Sequence, residues 1–508
     1  MIKEKQVREK YNYFIKEAFR LLEKDRFEDA CDCAKVACVL AKNYYLCYED
    51  ARLEDYISKA SIKSGLLLQG PQDRKSNRFV FYDTHTTDNI ALTQQYLGAL
   101  LSWDVELLYL TSKSIDSPKT VFIKEMLESS KKVSVAVIPE NLSSLETIKY
   151  IVNSVQEYSP CYGFIQTTSD DIAGTIAWKL LEETDRFFID LSDHSFWIGA
   201  SVYDYFIEFR NYGVNIAINH RGIQSDKILV QPFYPISKNR NFQGLPGDNG
   251  TFKLLSGGRL EKIYGQEDKY FHLIKKILQQ NKNAVLYFVG GGAFGKSGES
   301  AYILKKWKEL GISDRVYMLG FRNDIVEIYK HVDLYIGTFP MGGGLMSQIA
   351  ATQEVPIVQY ASEGLSNYLG EFLLDNNNYR KFVFVDDEDA FLDEVKYLTI
   401  NEAERVRQGK QLKQAVISKH DFDSQLRQLI LSKKDKYKRK RYQVDCDKLR
   451  DNQFELENNC HHSYSRILIK SRYLRKQHPF EYCLNILYFL KDCDKRWLIN
   501  RLLKTRKG

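Results

Sequence analysis

The chain has 508 residues, of which 44% are apolar and 13% aromatic, and its formal net charge is +7. Such a length exceeds one ordinary hydrophobic core, so we expect a folded protein of two or more domains. The nine cysteines are an odd number without C-x-x-C pairs, which argues against a cysteine metal site and indicates reduced thiols.

The first residues, MIKEKQVREKYNY, lack the apolar region of a secretory signal. The longest later apolar run, FEYCLNILYFL at 480–490, is too short to span a bilayer. We therefore expect a cytoplasmic protein, soluble or peripheral at the inner face of the cell membrane.

Residues 5–62 are predicted to be helical, because apolar residues recur at helical spacing on both sides of an RFEDA turn. The pattern resembles a single helical-hairpin repeat, which cannot bury its own apolar face. We expect this helical segment, residues 1–65, to pack on the rest of the chain. A peptide-binding role, or a non-catalytic scaffold, stays open.

Residues 66–235 alternate apolar strand-like runs with helical segments. The predicted strands include RFVFYDTHTTDN at 78–89, followed by VELLYLT, VSVAVIP, CYGFIQT, RFFIDLSDHSFWIG and YDYFIEF. This alternation predicts a Rossmann-like parallel sheet. Polar clusters follow two of these strands: Asp83, His85, Asp88 and Asn89 after the first, and Asp190, Asp193, His194 and Trp197 after a later one.

A second run of alternating strands and helices begins near residue 250. It contains LLSGGRL, AVLYFVGGG and GISDRVYMLGFRNDIVEIYKHVDLYIG, and then a glycine triplet, Gly342, Gly343 and Gly344, ahead of a helical segment. Glycines let backbone N–H groups crowd together without a Cβ clash. A loop of this kind at the start of a helix is suited to holding a phosphate.

The order GRL, FVGGG, DRVxxLGF, IxxIYxxxDLYIG, glycine loop and PIV resembles the donor domain of GT-B glycosyltransferases over roughly residues 250–375. The segments YDTHTTDNIALTQQYLGAL and DLSDHSFWIGASVYDYFIEFRNYG resemble bacterial glycosyltransferases of surface-polysaccharide loci. The resemblance implies an α/β GT-B fold with two Rossmann-like domains facing across a cleft. The acceptor domain would be residues 66–235 and the nucleotide-sugar donor domain residues 236–424.

The resemblance also implies a site. An inverting transfer of a sugar needs a general base near the acceptor hydroxyl, for which histidine or a carboxylate is suited. The expected catalytic residues are His194, Asp193 and Asp83, with His85, Asp88, Asn89 and Trp197 on the acceptor side. Because adjacent residues of a regular strand point to opposite faces, we expect Asp193 and His194 not to form a hydrogen-bonded pair. A purely structural role for His194 stays open.

On the donor side, cations and backbone N–H dipoles stabilise the charge that grows on the departing diphosphate. The candidate donor-binding residues are Arg259, Lys262, Gly290, Gly291, Arg322, Met341, Gly342, Gly343, Gly344, Ser347, Gln348 and Glu363. We expect a nucleotide sugar, most simply a UDP-sugar, as donor of a hexosyl or N-acetylhexosaminyl group. The acceptor would be a glycan, lipid-linked or protein molecule in the synthesis of capsule-type polysaccharide or a glycoconjugate. Neither a cofactor nor a metal ion is expected, because no DxD segment falls at the cleft.

The stereochemistry of transfer depends on the same loop. In retaining relatives two glutamates flank the glycine loop, and Met341 and Ile349 stand at the corresponding positions here. The segment TFPMGGG instead resembles the donor loop of inverting enzymes, so inversion is predicted. A nucleotide-sugar 2-epimerase on the same fold is the alternative enzyme.

The end of the chain is basic. Residues 425–508 contain 22 Lys and Arg against 9 Asp and Glu, and the densest run is KKDKYKRKR at 433–441. A basic helical tail close to apolar helices is suited to an anionic membrane surface, although a solvated charged segment is equally consistent with the pattern. Nucleic acid is not expected, because no binding module accompanies the run. The pair His461–His462 is predicted to face solvent.

Overall fold

The structure is a computed structural model that describes residues 2–66, 75–88, 92–236, 240–247, 250–290, 298–362, 364–365, 382–439, 441, 443–461 and 463–492. Three predicted site residues, Asn89, Gly291 and Glu363, lie outside the described residues.

The strands alternate with helices along most of the chain. The strands are β1 Lys75–Asp83, β2 Glu106–Thr111, β3 Val133–Val137, β4 Pro160–Gln166, β5 Asp185–Ile189, β6 Tyr205–Glu208, β7 Ile228–Val230, β8 Phe252–Gly258, β9 Ala284–Gly290, β10 Val316–Gly320, β11 Leu334–Ile336, β12 Ile357–Ala361 and β13 Val383–Val385. The first helices are α1 Glu4–Glu23, α2 Phe27–Tyr44, α3 Ala51–Lys63, α4 Thr93–Ser102, α5 Val121–Glu128, α6 Ser144–Tyr158, α7 Ile172–Leu180, α8 Asn211–Arg221, α9 Lys269–Gln280 and α10 Gly298–Glu309. The remaining helices are α11 Ile325–Tyr329, α12 Gly344–Thr352, α13 Glu388–Ile400, α14 Glu402–Ala415, α15 Lys419–Ser432, α16 Cys446–Leu456, α17 Ser463–Leu468, α18 Arg472–Gln477 and α19 Pro479–Asp492.

The chain divides into two compact units. The first unit comprises Met1–Gln231, Lys419–Tyr437 and His462–Gly508, and the second comprises Pro232–Ser418 and Lys438–His461. The basic tail, predicted as one segment over residues 425–508, therefore contributes to both units.

Within its described residues, the first unit holds a seven-stranded sheet in the order β3-β2-β1-β4-β5-β6-β7, with every neighbouring pair parallel. The strands are nearly continuous apolar runs because helices cover a parallel sheet on both faces. The strand order reverses between β1 and β4, so the loops that follow these strands meet at the carboxyl edge. In open α/β sheets that position is the usual ligand site.

The second unit has the same design. Its described strands form a six-stranded parallel sheet in the order β10-β9-β8-β11-β12-β13, which reverses between β8 and β11. The prediction of two Rossmann-like domains with helical additions is confirmed.

The helices α1 to α3 belong to the first unit and are tied to it by one buried carboxylate. Glu54 on α3 accepts hydrogen bonds from the backbone N–H groups of Gly199, Ala200 and Ser201. The Ser201 hydroxyl donates to the same carboxylate at 2.7 Å. The helical front therefore packs on the sheet-bearing body, as a lone repeat must.

The helices of the tail complete the first unit from the other end of the chain. The Phe422 ring on α15 packs edge-on against Tyr96 on α4, with ring centroids 5.5 Å apart. On α2, Asp32 accepts hydrogen bonds from the Ser471 hydroxyl at 2.7 Å and from the Tyr473 N–H at 2.9 Å. The tail is thus part of a folded unit rather than a separate appendage.

Candidate functional site

In the second unit, the loops after β8 and β11 meet at the point where strand order reverses. The backbone N–H of Met341 donates to the carbonyl of Lys262, with an N–O distance of 3.3 Å. The Thr338 hydroxyl donates to the Met341 carbonyl at 2.7 Å, which closes the turn after β11. The Arg259 side chain, at the start of the β8 loop, is 75% exposed. The loops that carry the predicted donor-binding residues are therefore held together at one edge of the sheet.

Glycine is required where the ends of β8 and β9 run side by side. Gly290 has φ +106°, and a Cβ there would lie 2.5 Å from the Gly258 carbonyl oxygen. A Cβ at Gly257 would lie 2.3 Å from the Val289 carbonyl oxygen. Glycine is present at these positions because the two backbones approach too closely for a Cβ atom. Gly290 therefore allows the ends of β8 and β9 to pack side by side at this edge of the sheet.

The glycine triplet leads directly into a helix. Gly343 caps α12, and all three glycines are half-buried rather than enclosed. The first N–H groups of an α-helix have no acceptor within the helix, and the helix dipole makes that end positive. The start of α12 therefore offers backbone donors and partial positive charge on the same sheet edge as Arg259.

Three other residues predicted on the donor side form hydrogen bonds or ion pairs with groups of the protein itself. Arg322 makes a two-pronged ion pair with Asp324, at 2.7 and 2.6 Å, and also donates to the Gly244 carbonyl. Gln348 is buried and donates to the Phe233 carbonyl at 2.7 Å. Ser347 is buried and donates back to the Gly343 carbonyl. These three side chains make contacts that hold the fold, and their expected contact with the donor stays a prediction.

Met341 and Ile349, at the positions of the two glutamates in retaining relatives, are both buried. Ile349 belongs to the hydrophobic core of the second unit together with Tyr335, Val355 and Ile357. Neither side chain is placed to accept a hydrogen bond from a sugar or ribose hydroxyl, so Met341 contributes to the site through its backbone alone.

In the first unit, Asp193 and His194 do form a hydrogen-bonded pair, with Nδ1 and Oδ1 3.2 Å apart, and the prediction that they would not is wrong. They lie in the irregular segment between β5 and β6, where strand alternation does not apply. Arg210 grips the buried Asp193 carboxylate through two nitrogens. Burial opposes ionisation of Asp193, but the Arg210 guanidinium overcomes it and holds the carboxyl pKa well below its usual range. The fixed negative charge orients His194, whose side chain is 29% exposed.

A buried charged cluster supports this pair. Asp190 accepts a hydrogen bond from the Trp197 indole N–H at 3.0 Å, and Arg221 lies over the Trp197 ring with its guanidinium carbon 4.4 Å from the centroid. Trp197 is buried and stabilises the cluster from inside, and its predicted place beside the acceptor stays a prediction. Burial and the neighbouring carboxylates raise the pKa of Asp190 to about 6 and that of Glu208 well above its ordinary value.

Sequence reasoning missed three members of the cluster: Glu208, Arg210 and Arg221. A signal was present, because Glu208 lies within the apolar run YDYFIEFR and Arg210 ends it, and burying a charged group there is costly unless it is paired or neutralised. Both oxygens of Glu208 are buried and have no hydrogen-bond partner in the described structure. Burial therefore favours the protonated form of the Glu208 carboxyl, whose pKa is raised.

The β1 loop forms a second polar centre at the edge between β1 and β4. Asp83 is fully buried, and its carboxylate accepts hydrogen bonds from the His85 and Thr86 N–H groups and from the Thr93 and Tyr109 hydroxyls. With four donors in place, Asp83 shapes the loop, and its catalytic role stays a prediction.

His85 lies in the same loop. Its Nε2 lies 3.2 Å from the Thr167 carbonyl, to which it can only donate, so Nδ1 is the acceptor nitrogen. Burial lowers the pKa of His85, which keeps the ring neutral near pH 7. Asp88, predicted beside it, instead accepts the N–H groups of Phe122 and Ile123 at the start of α5, so its carboxylate is engaged as a helix cap.

The described part of the chain holds no group of three or more His, Cys, Asp or Glu side chains arranged for a metal ion. Among the helices in that part, none is both long and apolar enough to cross a membrane.

Comparisons with known proteins agree with this geometry. Residues 237–415 match the family described as glycosyl transferases group 1. An O-GlcNAc transferase mutant from Thermobaculum terrenum superimposes with a TM-score of 0.55 and 13% identity, covering 87% of this chain and 85% of that one. HepE of Anabaena, solved with UDP and glucose, gives a TM-score of 0.52 and 15% identity over 70% of this chain and 99% of that one. A glycosyltransferase from Rickettsia africae gives a TM-score of 0.52 and 10% identity over 71% and 99%.

No curated protein shows significant sequence similarity to the chain. The fold is nevertheless that of the GT-B glycosyltransferases. The similarity to group 1 glycosyl transferases covers residues 237–415, which lie in the second unit and include the β8 and β11 loops. Group 1 is a retaining family, so the predicted inversion is not supported.

Proposed function

We propose that the protein transfers a hexosyl or N-acetylhexosaminyl group from a UDP-sugar to a glycan, lipid-linked or protein acceptor in the synthesis of a bacterial surface polysaccharide or glycoconjugate. The proposal of a nucleotide-sugar donor rests mainly on one observation. The β8 and β11 loops meet where the strand order reverses, and the Met341 N–H donates a hydrogen bond to the Lys262 carbonyl there. HepE, which shares the fold, is solved with UDP and glucose.

The diphosphate is proposed to lie at the start of α12, where Gly342, Gly343 and Gly344 leave backbone N–H groups accessible. Arg259 supplies a full positive charge from the β8 loop, and Lys262 follows it by one turn. As the glycosidic bond breaks, negative charge grows on the diphosphate, and these groups stabilise the transition state more than the bound donor. Side chains and dipoles thus do the work that a divalent cation does in other transferases.

The general base is proposed to be His194. Its Nδ1–H points at the Asp193 carboxylate, which leaves Nε2 as the nitrogen that takes the acceptor proton. The Asp193 charge stabilises the imidazolium that forms, and Arg210 keeps Asp193 ionised and in place. Asp193 is therefore a positioning residue for His194.

His85 offers a comparison within the same unit. It is a neutral imidazole with an acceptor nitrogen at the reversal point of the sheet, but its Nε2 partner is a carbonyl rather than a carboxylate. A carbonyl orients a ring without compensating a positive charge on it. We assign His85 to acceptor contact. The variant His194→Gln is expected to lower kcat by about 100-fold or more, the usual contribution of a general base, while His85→Gln mainly raises the acceptor KM.

The stereochemical outcome requires a direct measurement, because the family match favours retention while the two glutamate positions hold buried apolar side chains. Proton NMR of the first-formed product reads the anomeric configuration. Retention would mean that transfer proceeds without the two glutamates of retaining relatives.

The donor assignment is tested with Arg259→Ala. Titration with UDP should show binding weakened by about 1.5–3 kcal/mol, the worth of a charge-assisted hydrogen bond. The melting temperature should stay unchanged, because the Arg259 side chain is mostly exposed. Arg407→Ala, which removes a comparably exposed arginine from α14 in the same unit, is the matched control. Equal UDP affinity in both variants would show that Arg259 does not bind the diphosphate.

A panel of UDP-, GDP- and CMP-sugars tests the reaction class. Slow release of free UDP from one UDP-sugar supports transfer. Epimerisation at C2 without release of the nucleotide would identify the 2-epimerase instead, and no binding of any donor would identify a non-catalytic scaffold.

A further inference from the structure

Among the described residues, the last helix, α19, has one face packed against its neighbours and one face exposed. On the packed side, Phe489 forms a small core with Ile469, against which Tyr482, Ile486 and Leu490 also pack. This contact fixes the helix against the first unit, so its orientation does not depend on a partner.

The opposite face is apolar along its whole length. We call it the apolar stripe, and it consists of Phe480, Cys483, Leu484, Leu487 and Tyr488, all exposed. Phe480 is 83% exposed and Leu487 is 63% exposed. The spacing of i, i+3, i+4, i+7 and i+8 places the five side chains on one side of the helix. A continuous exposed stripe of this kind, unlike a scattered surface leucine, indicates an interaction site.

The surface beside the stripe is basic. Arg472, Arg475 and Lys476 on α18 are exposed. Between residues 463 and 490 there are five Lys and Arg and a single acidic residue, Glu481. Glu481 is neutralised, because its carboxylate pairs with Lys10 at 2.5 Å. The stripe is therefore flanked by uncompensated positive charge.

The positive charge beside the apolar stripe indicates which of three candidates binds there: residues 491–508, a second copy of the chain or an anionic lipid surface. Residues 491–508 contain seven Lys and Arg against two Asp, so this segment has the same sign as α18 and does not neutralise it. A second copy docked through the same surface would also set basic residues against basic residues, since a twofold contact pairs a surface with itself. An anionic lipid surface satisfies both features, because apolar side chains enter the acyl boundary while Arg and Lys bind headgroup phosphates.

We propose that the apolar stripe of α19, together with the basic residues of α18, docks the protein on an anionic membrane surface. The helix lies in the interface and does not span the bilayer. This inference is independent of the proposed sugar transfer, and it narrows the expected membrane contact from the whole tail, residues 425–508, to α18 and α19. Within the KKDKYKRKR run, Lys433 is already paired with Asp185 at 2.8 Å, and Asp435 accepts the Val230 N–H.

Sedimentation of the full-length protein with vesicles tests the proposal. Vesicles of phosphatidylcholine with phosphatidylglycerol should bind the protein, and vesicles of phosphatidylcholine alone should bind it much less. The double variant Leu484→Asp, Leu487→Asp should reduce binding to anionic vesicles by at least about tenfold, since each charge placed in the stripe opposes insertion. Arg475→Glu with Lys476→Glu should reduce it by about fivefold for each basic residue lost, and added salt should weaken the wild type.

Leu304→Asp, which places the same charge on the exposed face of α10 in the second unit, is the matched control and should bind like the wild type. Circular dichroism confirms that each variant is folded. Three results overturn the proposal: no binding of the wild type to anionic vesicles, equal losses in the stripe variant and the Leu304 control, or a wild-type dimer in light scattering that Leu487→Asp converts to a monomer.

Discussion

Ile349 is buried in the core of the second unit, at a position where the resemblance to retaining enzymes predicts a glutamate. Introducing the relatives' residue should therefore damage the fold instead of restoring a sugar contact. We expect Ile349→Glu to lower the free energy of unfolding by about 3–5 kcal/mol, the penalty for an uncompensated buried charge. Urea unfolding of the purified variant measures it.

The matched change Ile349→Val removes one methylene and should cost only about 0.5–1.5 kcal/mol. If Ile349→Glu is as stable as Ile349→Val, the side chain reaches solvent and the position is open to a ligand after all.

At the residue scale, much of the site depends on contacts between segments far apart in the sequence. The adjacency of Asp193 and His194 is visible in the sequence, but their hydrogen bond depends on the irregular path between β5 and β6. Arg210, which keeps Asp193 ionised, comes 17 positions later and after another strand. Residue types at strand ends thus predict where a site lies, while the partner of each side chain requires the fold.

At the scale of elements, a π-helical turn from Glu457 to His461 is held to the rest of the second unit by one histidine. The prediction that His461 faces solvent is wrong. Its Nδ1 lies 2.9 Å from Glu457, and its Nε2 lies 3.2 Å from Glu299 in the first turn of α10. Burial lowers the pKa of His461, but the two carboxylates outweigh it and raise the pKa to about 9.

The pH dependence of stability follows from that shift. An unfolded histidine titrates near about pH 6.5. Because the folded pKa is higher, the stabilisation is complete below about pH 6.5 and is lost as the pH rises through about 9. The difference in urea stability between the wild type and His461→Gln should be large near about pH 6 and small near about pH 10. A difference that does not change with pH would show that the ring is neutral throughout.

The elements themselves were largely predictable from the sequence. Apolar runs such as RFVFY and AVLYFVG became parallel strands because a sheet covered on both faces demands continuous apolar residues. The glycine triplet leads into a helix as expected, with Gly343 at the N-cap of α12. The loop roles of Asp83 and Asp88 were not visible, because a carboxylate that caps backbone N–H groups looks the same in sequence as one that faces a ligand.

At the scale of the whole molecule, the chain leaves the first unit at Gln231, returns at Lys419, crosses again at Lys438 and returns after His461. The local sequence pattern cannot reveal such a path, because it predicts each helix of the tail but not the unit against which that helix packs. A basic composition suggested a single appendage, whereas apolar contacts assign the tail helices to two different cores.

The return of the tail makes the two ends of the chain depend on each other, and Asp32 is the clearest link. Its carboxylate holds the Ser471 hydroxyl and the Tyr473 N–H at the start of α18. Asp32→Ala should lower the opening free energy of α18 and α19 by about 1.5–3 kcal/mol, since hydrogen bonds to a charged group are lost. Hydrogen exchange followed by mass spectrometry should then show faster exchange across residues 472–490 and unchanged exchange in the second unit. Asp55→Ala, which removes an exposed carboxylate paired with Lys59 on the same helix, should leave both regions unchanged.

Because α18 and α19 carry the proposed membrane surface, Asp32→Ala should also weaken vesicle binding although Asp32 itself contacts no lipid. Unaltered exchange in 472–490 would mean that the tail helices hold their place through their own core around Phe489.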